Sequence, residues 1–506
     1  MTIRQDKNGS RYRTKAVKNL AYEGASRGRR TKTLHSPKVG PNKAQVPESG
    51  TLRDRMLAAH RNLPMIYAGI ERNVVNEVGS GVSMQAKTED EGYNVEATAL
   101  WTLQVSHMDP AGILNWHGQL VQAVRARRTQ GETFIIRQDR RLDSGLPVPM
   151  QIQVLESCYC PVDLREDLKN GRRIREGIEF DKQGRRTAYY FHREHPHDGE
   201  VDLQLGDYLR VKAEQVIHHY CPTRPGQRRG TPDGVAGLIK ALTFNSYDDA
   251  ELTRKEKRAP FTGFLKRAAP MVDDETGLPR EPLTGASVSD EPVNIEQGTL
   301  VHGEPGDELV LFNADDNGRG YYDFMKWQSL SLAQAYNIPY EVLTGDWKDV
   351  NDRLVRVIMQ QFYRQISMIQ DHLLVFQICR TCWQWFIESA VFSGRLSAPG
   401  YASQPQAYLK AEIGPQKWDY INPTQDIQAK KEAVQADLSS IEHEVSKSGH
   451  TARKFMRDNL NWIKHKSEAA LEMGIDNAVI DHVAKIQQLQ SNDLDMSTTN
   501  KTIQEE

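Results

Sequence analysis

Apolar side chains in the first part of the chain recur at two different periods. Between Leu52 and Val78, the residues Leu57, Met65, Ile66, Ile70 and Val74 return near the 3.6-residue spacing of a helix face. This predicts one helix over 52–78, stopped by Gly79 and Gly81. A second helical pattern over 113–128 ends at Gly131 and runs into the apolar stretch "TFIIRQ". From there to Tyr220 the period falls to two. "MQIQVLES", "IREGIEFDKQGRRTAYYFHRE" and "YLRVKAEQVIHHYC" read as short strands, with "DKQGRR" as a hairpin turn. This part is expected to be α+β.

"PTRPGQRRGTPDG" follows and reads as a linker, with three prolines and three glycines in thirteen residues. A helix is expected over 235–258, then a Pro- and Gly-rich insert of short strands and turns, then a helix over 321–336. The stretch "AQAYNIPYEVLTGDWKDVNDRLVRVIMQQF" breaks this pattern at Ile338-Pro339 and restarts it soon after. Pro339 is expected to end the first helix, because the residue before a proline is pushed out of the α region. Gly345 would permit a sharp reversal, and Asp349 or Asn351 would cap the next helix. Ile358, Phe362, Ile366, Ile369, Leu373 and Phe376 then form one face of a long helix. It continues through "CRTCWQWFIESAVFSG" to Gly394 and Pro399. Further helices are expected as far as 485, one opening at Pro423, and the polar end reads as a frayed tail. No repeat of 20–50 residues is visible, which sets aside solenoids and propellers.

Length and charge narrow the classes. A chain of 506 residues has room for two to four structural units. Its net charge of −2 argues against tight phosphate binding by the chain as a whole. Charge is uneven, however: residues 1–50 carry twelve Lys and Arg against Asp6, Glu23 and Glu48. That segment reads either as a solvated tail or as a basic arm for nucleic acid or a partner shell. Five cysteines without a signal peptide fit a reducing compartment rather than a disulfide framework. No apolar run approaches a membrane span, so a soluble protein made in a cytoplasm is expected.

Candidate chemistry is sparse. Cys379 and Cys382 have C-x-x-C spacing but fall deep inside a helical pattern among Trp383, Trp385 and Phe386, which suits buried apolar residues better than a redox pair. Cys158 and Cys160 lack a second pair at zinc spacing. His192, His195, His197, His218 and His219 form no H-E-x-x-H motif and read as surface and strand residues. No phosphate-cradling G-x-x-x-x-G-K-[ST] loop is present. The pairs Asp248-Asp249, Asp273-Asp274 and Asp315-Asp316 read as solvated or capping acids. No catalytic residue, cofactor or metal is expected, and the chain does not read as an enzyme.

Six stretches in order resemble the lambda-type portal proteins of tailed bacteriophages. They are "HRNLPMIYAGIERNVVNEVGSGVSMQ", "GIEFDKQGRRTAYYFHREHP", "VIHHYCPTRPGQRRGTPDGVAGLIKAL", "DDAELTRKEKRAPFTGFLKR", "YNIPYEVLTGDWKDVNDRLVR" and "INPTQDIQAKKEAVQADLSS". Each alone is weak; the ordered set is specific. After "LTGD" many members continue with a Tyr-Ser-Ser-like segment where this chain has Trp347-Lys-Asp-Val-Asn-Asp352. The resemblance implies the portal fold, with wing, helical stem, small β-containing clip and α-helical crown. On this sequence that maps to a basic flexible arm (1–51), an α+β wing (52–234), a stem helix (235–260), a clip (261–317), a second stem helix (318–336), a channel loop (337–352), a long wing helix (353–400), crown helices (401–485) and a flexible tail (486–506).

The resemblance further implies a dodecameric ring at one vertex of the phage head, assembled in the host cytoplasm and serving as head–tail connector. Implied partners are the terminase large subunit, a head–tail adaptor, the major capsid and scaffolding proteins, and double-stranded DNA passing through without sequence preference. Twelve helices about 10 Å across, side by side, enclose a bore of roughly 28 Å, and duplex DNA is on the order of 20 Å wide. The loop residues expected to face that DNA are Pro339, Glu341, Gly345, Asp346, Trp347, Lys348 and Asp349. Two other classes compete. One is a different structural part of the particle, such as an adaptor or minor capsid protein, which would usually be far shorter. The other is a metal-dependent DNA-processing enzyme using the paired aspartates.

Overall fold

Proline decides where the first apolar run breaks in the computed structural model. Helices α1 (Pro41–Asn62) and α2 (Pro64–Val78) meet at Leu63, whose angles are extended (φ −113°, ψ 110°). Pro64 disfavours helical geometry in the residue before it and suits the first position of the next helix. The single helix expected over 52–78 is therefore two, and the first begins inside the segment read as a basic arm. Residues 41–51 are held there by the supposed linker: Asn42 Nδ2 donates to Gly226 O at 3.0 Å, and Gln45 Nε2 to Arg229 O at 3.1 Å. The described residues are 38–198, 208–258, 319–348, 350–418, 423–447 and 452–472, with β1 (Ile3–Gln5), β2 (Arg11–Arg13), four short strands in the 261–317 insert and Glu275. The rest of the arm and insert, the expected crown helices beyond 472 and the expected tail (486–506) lie outside them.

After α2 and its left-handed Gly79 come β3 (Val82–Ala86), α3 (Glu91–Gln104) and α4 (Trp116–Gln130). The side chains of Asp90 and Asn115 cap the two helices by accepting from Tyr93 N and Gly118 N. Strands β4 (Glu132–Asp139) and β5 (Met150–Glu156) join β11 (Val216–Tyr220) in an antiparallel sheet of order β11-β4-β5. A second antiparallel sheet holds β6 (Glu166–Asp167), β7 (Arg173–Arg175), β8 (Ile178–Phe180), β9 (Arg186–Phe191) and β10 (Leu209–Lys212). The expected hairpin is β8–β9, turned at Gly184 with φ 84°. Strand β4 reads as a continuous apolar run because both its faces are covered. Ile135 joins the helical core, while Phe134 and Ile136 pack with Ile178, Tyr189 and Phe191 of the second sheet.

Helix α5 (Leu238–Arg258) leads into the insert, where β12 (Gly263–Lys266) pairs antiparallel with β15 (Glu308–Leu311), and β13 (Met271–Val272) with β14 (Pro279–Arg280). Then follow α6 (Arg319–Ala335), α7 (Tyr340–Thr344), α8 (Asp352–Ile369) and α9 (Arg380–Phe392). Between α8 and α9 the backbone is a π-helix over Gln370–Cys379. Its wider turn keeps the buried face at steps of four: Phe362, Ile366, Gln370, Leu374, Ile378, Cys382 and Phe386. The expected face slipped back by three at Ile369 and Phe376, and here it fails. Phe376 is 57 % exposed, with the Arg380 guanidinium 4.8 Å from its ring centre. Gln377 from the same π turn completes the sheet edge: its amide donates to Tyr220 O and accepts from Tyr220 N. Cys379 and Cys382 are buried free thiols.

Residues 401–418 are not part of a terminal helical unit. After α10 (Pro405–Tyr408), β16 (Ala411–Pro415) pairs antiparallel with β3, Ala411 opposite Ala86 and Pro415 opposite Val82. Helices begin again only with α11 (Pro423–Gln435), α12 (Ile441–Lys447) and α13 (Ala452–Glu472).

Buried charge locks the supposed linker in place. Arg229 is buried, donates through Nε to Glu132 Oε1 at 2.7 Å, and reaches Glu176 O through Nη1 at 2.7 Å. Glu132 also accepts from Ser157 Oγ and Gly230 N. Gly131 and Gly230 let the two backbones cross; a Cβ on Gly230 would fall within 1.9 Å of Gly131 O. His218, one of the expected strand histidines, lies buried on β11 and shares the network. Arg186 Nη1 lies 3.0 Å from Nδ1 and can only donate, so the neutral ring carries its proton on Nε2 and donates it to Glu132 at 2.9 Å.

Burial lowers the His218 pKa to about 4, from an ordinary value of 6.5. Between those values the unfolded chain binds a proton that the folded chain does not, so stability is complete above the unfolded pKa and falls as pH drops toward 4. Going from pH 7 to pH 5 should cost about 2 kcal/mol through this residue. Urea midpoints at the two pH values measure this, and His218→Gln, which keeps a donor and an acceptor but cannot titrate, should flatten the slope.

Candidate functional site

The turn between α6 and α8 is built in three steps. Helix α6 ends at Asn337, which has left-handed geometry with φ 52°. Ile338 N donates to Ala333 O at 3.0 Å and Asn337 N to Gln334 O at 3.2 Å, the paired bonds of a Schellman motif. Asparagine tolerates this conformation better than other non-glycine residues. The helix stop assigned to Pro339 from the sequence therefore belongs to Asn337. Pro339, with φ −58° and ψ 145°, instead stands at the N-cap of α7.

The second step docks α7 on the core. Ile338 and Leu343 are buried, and Glu341 is half-buried with its carbonyl accepting from Gly345 N at 2.8 Å. The Tyr336 ring fills a slot between Gly69 of α2 and Gly234. A Cβ on Gly69 would come within 2.7 Å of that ring, and one on Gly234 within 2.3 Å. The tyrosine's carbonyl accepts from buried Asn73 Nδ2 at 3.2 Å. The first half of the expected loop is thus anchored to α2, not suspended.

The third step reverses the chain. Gly345 has φ 75°, the left-handed value expected for it, and a Cβ there would meet nothing within 4 Å. Asp346 is then tied back to α6: Tyr322 and Tyr340 hydroxyls both donate to its Oδ2 at 3.0 Å, and Lys348 N donates to Oδ1 at 3.2 Å. These bonds, led by Tyr340, hold the carboxyl below its ordinary range. Lys326 Nζ lies 5.7 Å from both tyrosine ring centres. Asn351 caps α8 by accepting from Leu354 N at 2.9 Å, and Asp352 pairs with Arg356 one turn on. Asp349 lies outside the described residues.

Of the residues expected to act together, Pro339, Glu341 and Gly345 shape the turn, and Asp346 clamps it. Among the described ones, Trp347 and Lys348 are exposed on the bend that follows Gly345. Sequence reading missed Tyr322, Lys326 and Tyr340. The signal available was the i, i+4 spacing of Tyr322 and Lys326, which puts them on one face of α6. Among the described residues the turn brings together no metal-ligand set, and a set of three lies elsewhere, at Glu156, Cys158 and His195.

The chain is 26 % identical over 313 residues to a "Probable portal protein" of Halomonas phage phiHAP-1, covering 59 % of this chain and 56 % of that one. It is 20 % identical over 307 residues to the "Portal protein" of Escherichia phage N15, covering 55 % and 56 %. The chain thus spans about half the length of the curated relatives it matches. Among solved structures, it resembles the neck of an empty gene transfer agent particle computed with C6 symmetry, with TM-score 0.44, 11 % identity, and 78 % and 90 % of the two chains covered. The native particle's neck, computed with C12 symmetry, gives TM-score 0.44, 10 % identity, and 80 % and 92 %. Those two likenesses are too distant to carry an argument. The family described as "Phage portal protein, lambda family" matches residues 27–370, from before α1 through the whole α6–α8 turn, and so covers well over half of the chain. The chain belongs to the lambda family of phage portal proteins.

Proposed function

We propose that this chain is the subunit of a ring-shaped channel at one vertex of a phage head, through which double-stranded DNA is packaged and later leaves. Its family is structural rather than enzymatic and its members are virion components. The observation that carries the reading is the uncovered apolar surface of α5 and α6. Ile239 and Leu252 are each 67 % exposed and Trp327 is 71 % exposed, with Leu242, Tyr247 and Phe324 beside them on the same helix pair. A soluble monomer rarely leaves so many large apolar groups in water on one pair of helices, whereas side-by-side packing of identical helix pairs would cover them.

In this reading α5 and α6 are the stem and the turn at 337–352 faces the bore. The insert would be the clip, the surface for the terminase large subunit and later the head–tail adaptor, and α11–α13 would belong to the crown. The wing would meet the capsid and scaffolding proteins. Twelve subunits give a bore that admits duplex DNA. Negative-stain images of the purified full chain test the assembly. Rings with a central hole are expected, stable on dilution because the interface is large. A strictly monomeric species at micromolar concentration and physiological salt would overturn the reading. A variant carrying both Ile239→Glu and Trp327→Glu should lose the rings while keeping the circular dichroism of the folded chain.

A further inference from the structure

Where β5 ends beside the second sheet, three side chains with metal-ligating atoms converge, and nothing in the portal reading uses them. Glu156 closes β5, Cys158 lies in the turn that follows, and His195 comes after β9. The backbone ties the two segments together, since His192 N donates to Tyr159 O at 2.8 Å. The rings of Tyr159 and His195 meet edge to face with centres 5.5 Å apart. Cys158 Sγ lies 3.3 Å from His195 Nε2 and 3.9 Å from Glu156 Oε2, and His195 Nε2 lies 3.4 Å from Glu156 Oε2.

Those separations can be set against zinc geometry. With Zn–S near ~2.3 Å and Zn–N or Zn–O near ~2.05 Å, a tetrahedral ion spaces sulfur roughly 3.5 Å from a nitrogen or oxygen ligand, and nitrogen roughly 3.3 Å from oxygen. The three observed edges lie close to one face of such a tetrahedron, without movement of the backbone. We propose that Cys158 Sγ, His195 Nε2 and Glu156 Oε2 bind one zinc ion, with water in the fourth position. The Glu156 side chain is 46 % exposed, so that position opens to solvent. A mixed sulfur, nitrogen and oxygen set suits zinc and not magnesium or calcium, which take oxygen ligands. Thiolate and carboxylate together balance the charge of the ion, and the thiol proton leaves to solvent on binding.

The surroundings support the ligand roles. Asp198 Oδ1 lies 3.3 Å from His195 Nδ1, the arrangement in which a carboxylate accepts the Nδ1 proton and turns the Nε2 lone pair to a metal. The His197 N–H also lies 3.3 Å from that nitrogen. Nδ1 can serve one of these contacts at a time, and metal at Nε2 selects Asp198. Cys160 takes no part: its sulfur faces Glu176 O and Arg229 in the interior. The ion would staple the turn after β5 to the loop after β9.

The test uses the full chain stripped with a chelator and titrated with cobalt(II), whose visible bands report four-coordinate thiolate binding. One equivalent should produce those bands, and one equivalent of zinc should bleach them and raise the melting temperature. Cys158→Ala should remove the thiolate-to-cobalt band. Glu156→Gln, on a half-exposed side chain that leaves the fold intact, should weaken zinc binding, and Asp198→Asn should do so by roughly 10-fold or more. The proposal is overturned by stripped protein that gives no thiolate band and no zinc-dependent melting shift. A band that survives Cys158→Ala would also overturn it, because the thiolate would then lie elsewhere.

Discussion

Replacing Glu132 by Gln is expected to destabilise the folded chain by about 3–5 kcal/mol. This carboxylate accepts from the Arg229 guanidinium, His218 Nε2, Ser157 Oγ and Gly230 N, and all of it is buried. Burial works against its ionisation, but Arg229 and His218 together outweigh that and hold its pKa well below the ordinary range. A glutamine there presents an NH2 group to donors that need an acceptor, and it takes from the buried Arg229 cation the carboxylate it pairs with. The cost exceeds that of an exposed pair, which is worth at most about 1 kcal/mol. Denaturant midpoints at one fixed protein concentration measure the change, since assembly also shifts apparent stability. A loss below about 1 kcal/mol would mean that the network does not hold the 222–234 segment against β4.

The second large effect is expected in DNA handling rather than in folding. The double variant Pro339→Gly with Gly345→Val frees the N-cap of α7 and forces a β-branched side chain into the left-handed conformation of Gly345. That strain is about 1–2 kcal/mol, and it stays local because no atom lies within 4 Å of the added Cβ. Rings should therefore assemble, while particles built with them should hold only a small fraction of the normal DNA. Lys348→Ala is the contrasting change. Its exposed charge contributes at most about 1 kcal/mol to stability, and one phosphate contact fewer weakens guidance only slightly. Normal DNA content in the double variant, with intact rings, would remove the case for a functional channel loop.

Much of the local structure is legible in the residues because it depends on neighbours a few positions away. Gly131 and Gly184 supply left-handed turns and Asn351 caps its helix, while Pro64, which divides α1 from α2, acts by an equally local rule although the apolar period there was read as one helix. Each follows from sterics or from one short hydrogen bond, which any chain with those residues meets again. The family was legible for a related reason: its ordered stretches are local strings. What only the tertiary structure decided involves partners far apart in the chain. β16 finds β3 across more than three hundred residues, His218 is buried against Glu132, and His195 reaches Cys158 from 37 positions away. The π turn belongs to this group too, because it is the need to keep Gln370, Leu374 and Ile378 on the buried side that stretches the helix and turns Phe376 outward. Sequence spacing carries the preference of a segment for a shape, but which of its faces is covered depends on surfaces brought up by distant parts of the chain, and burial free energy is settled only when they meet.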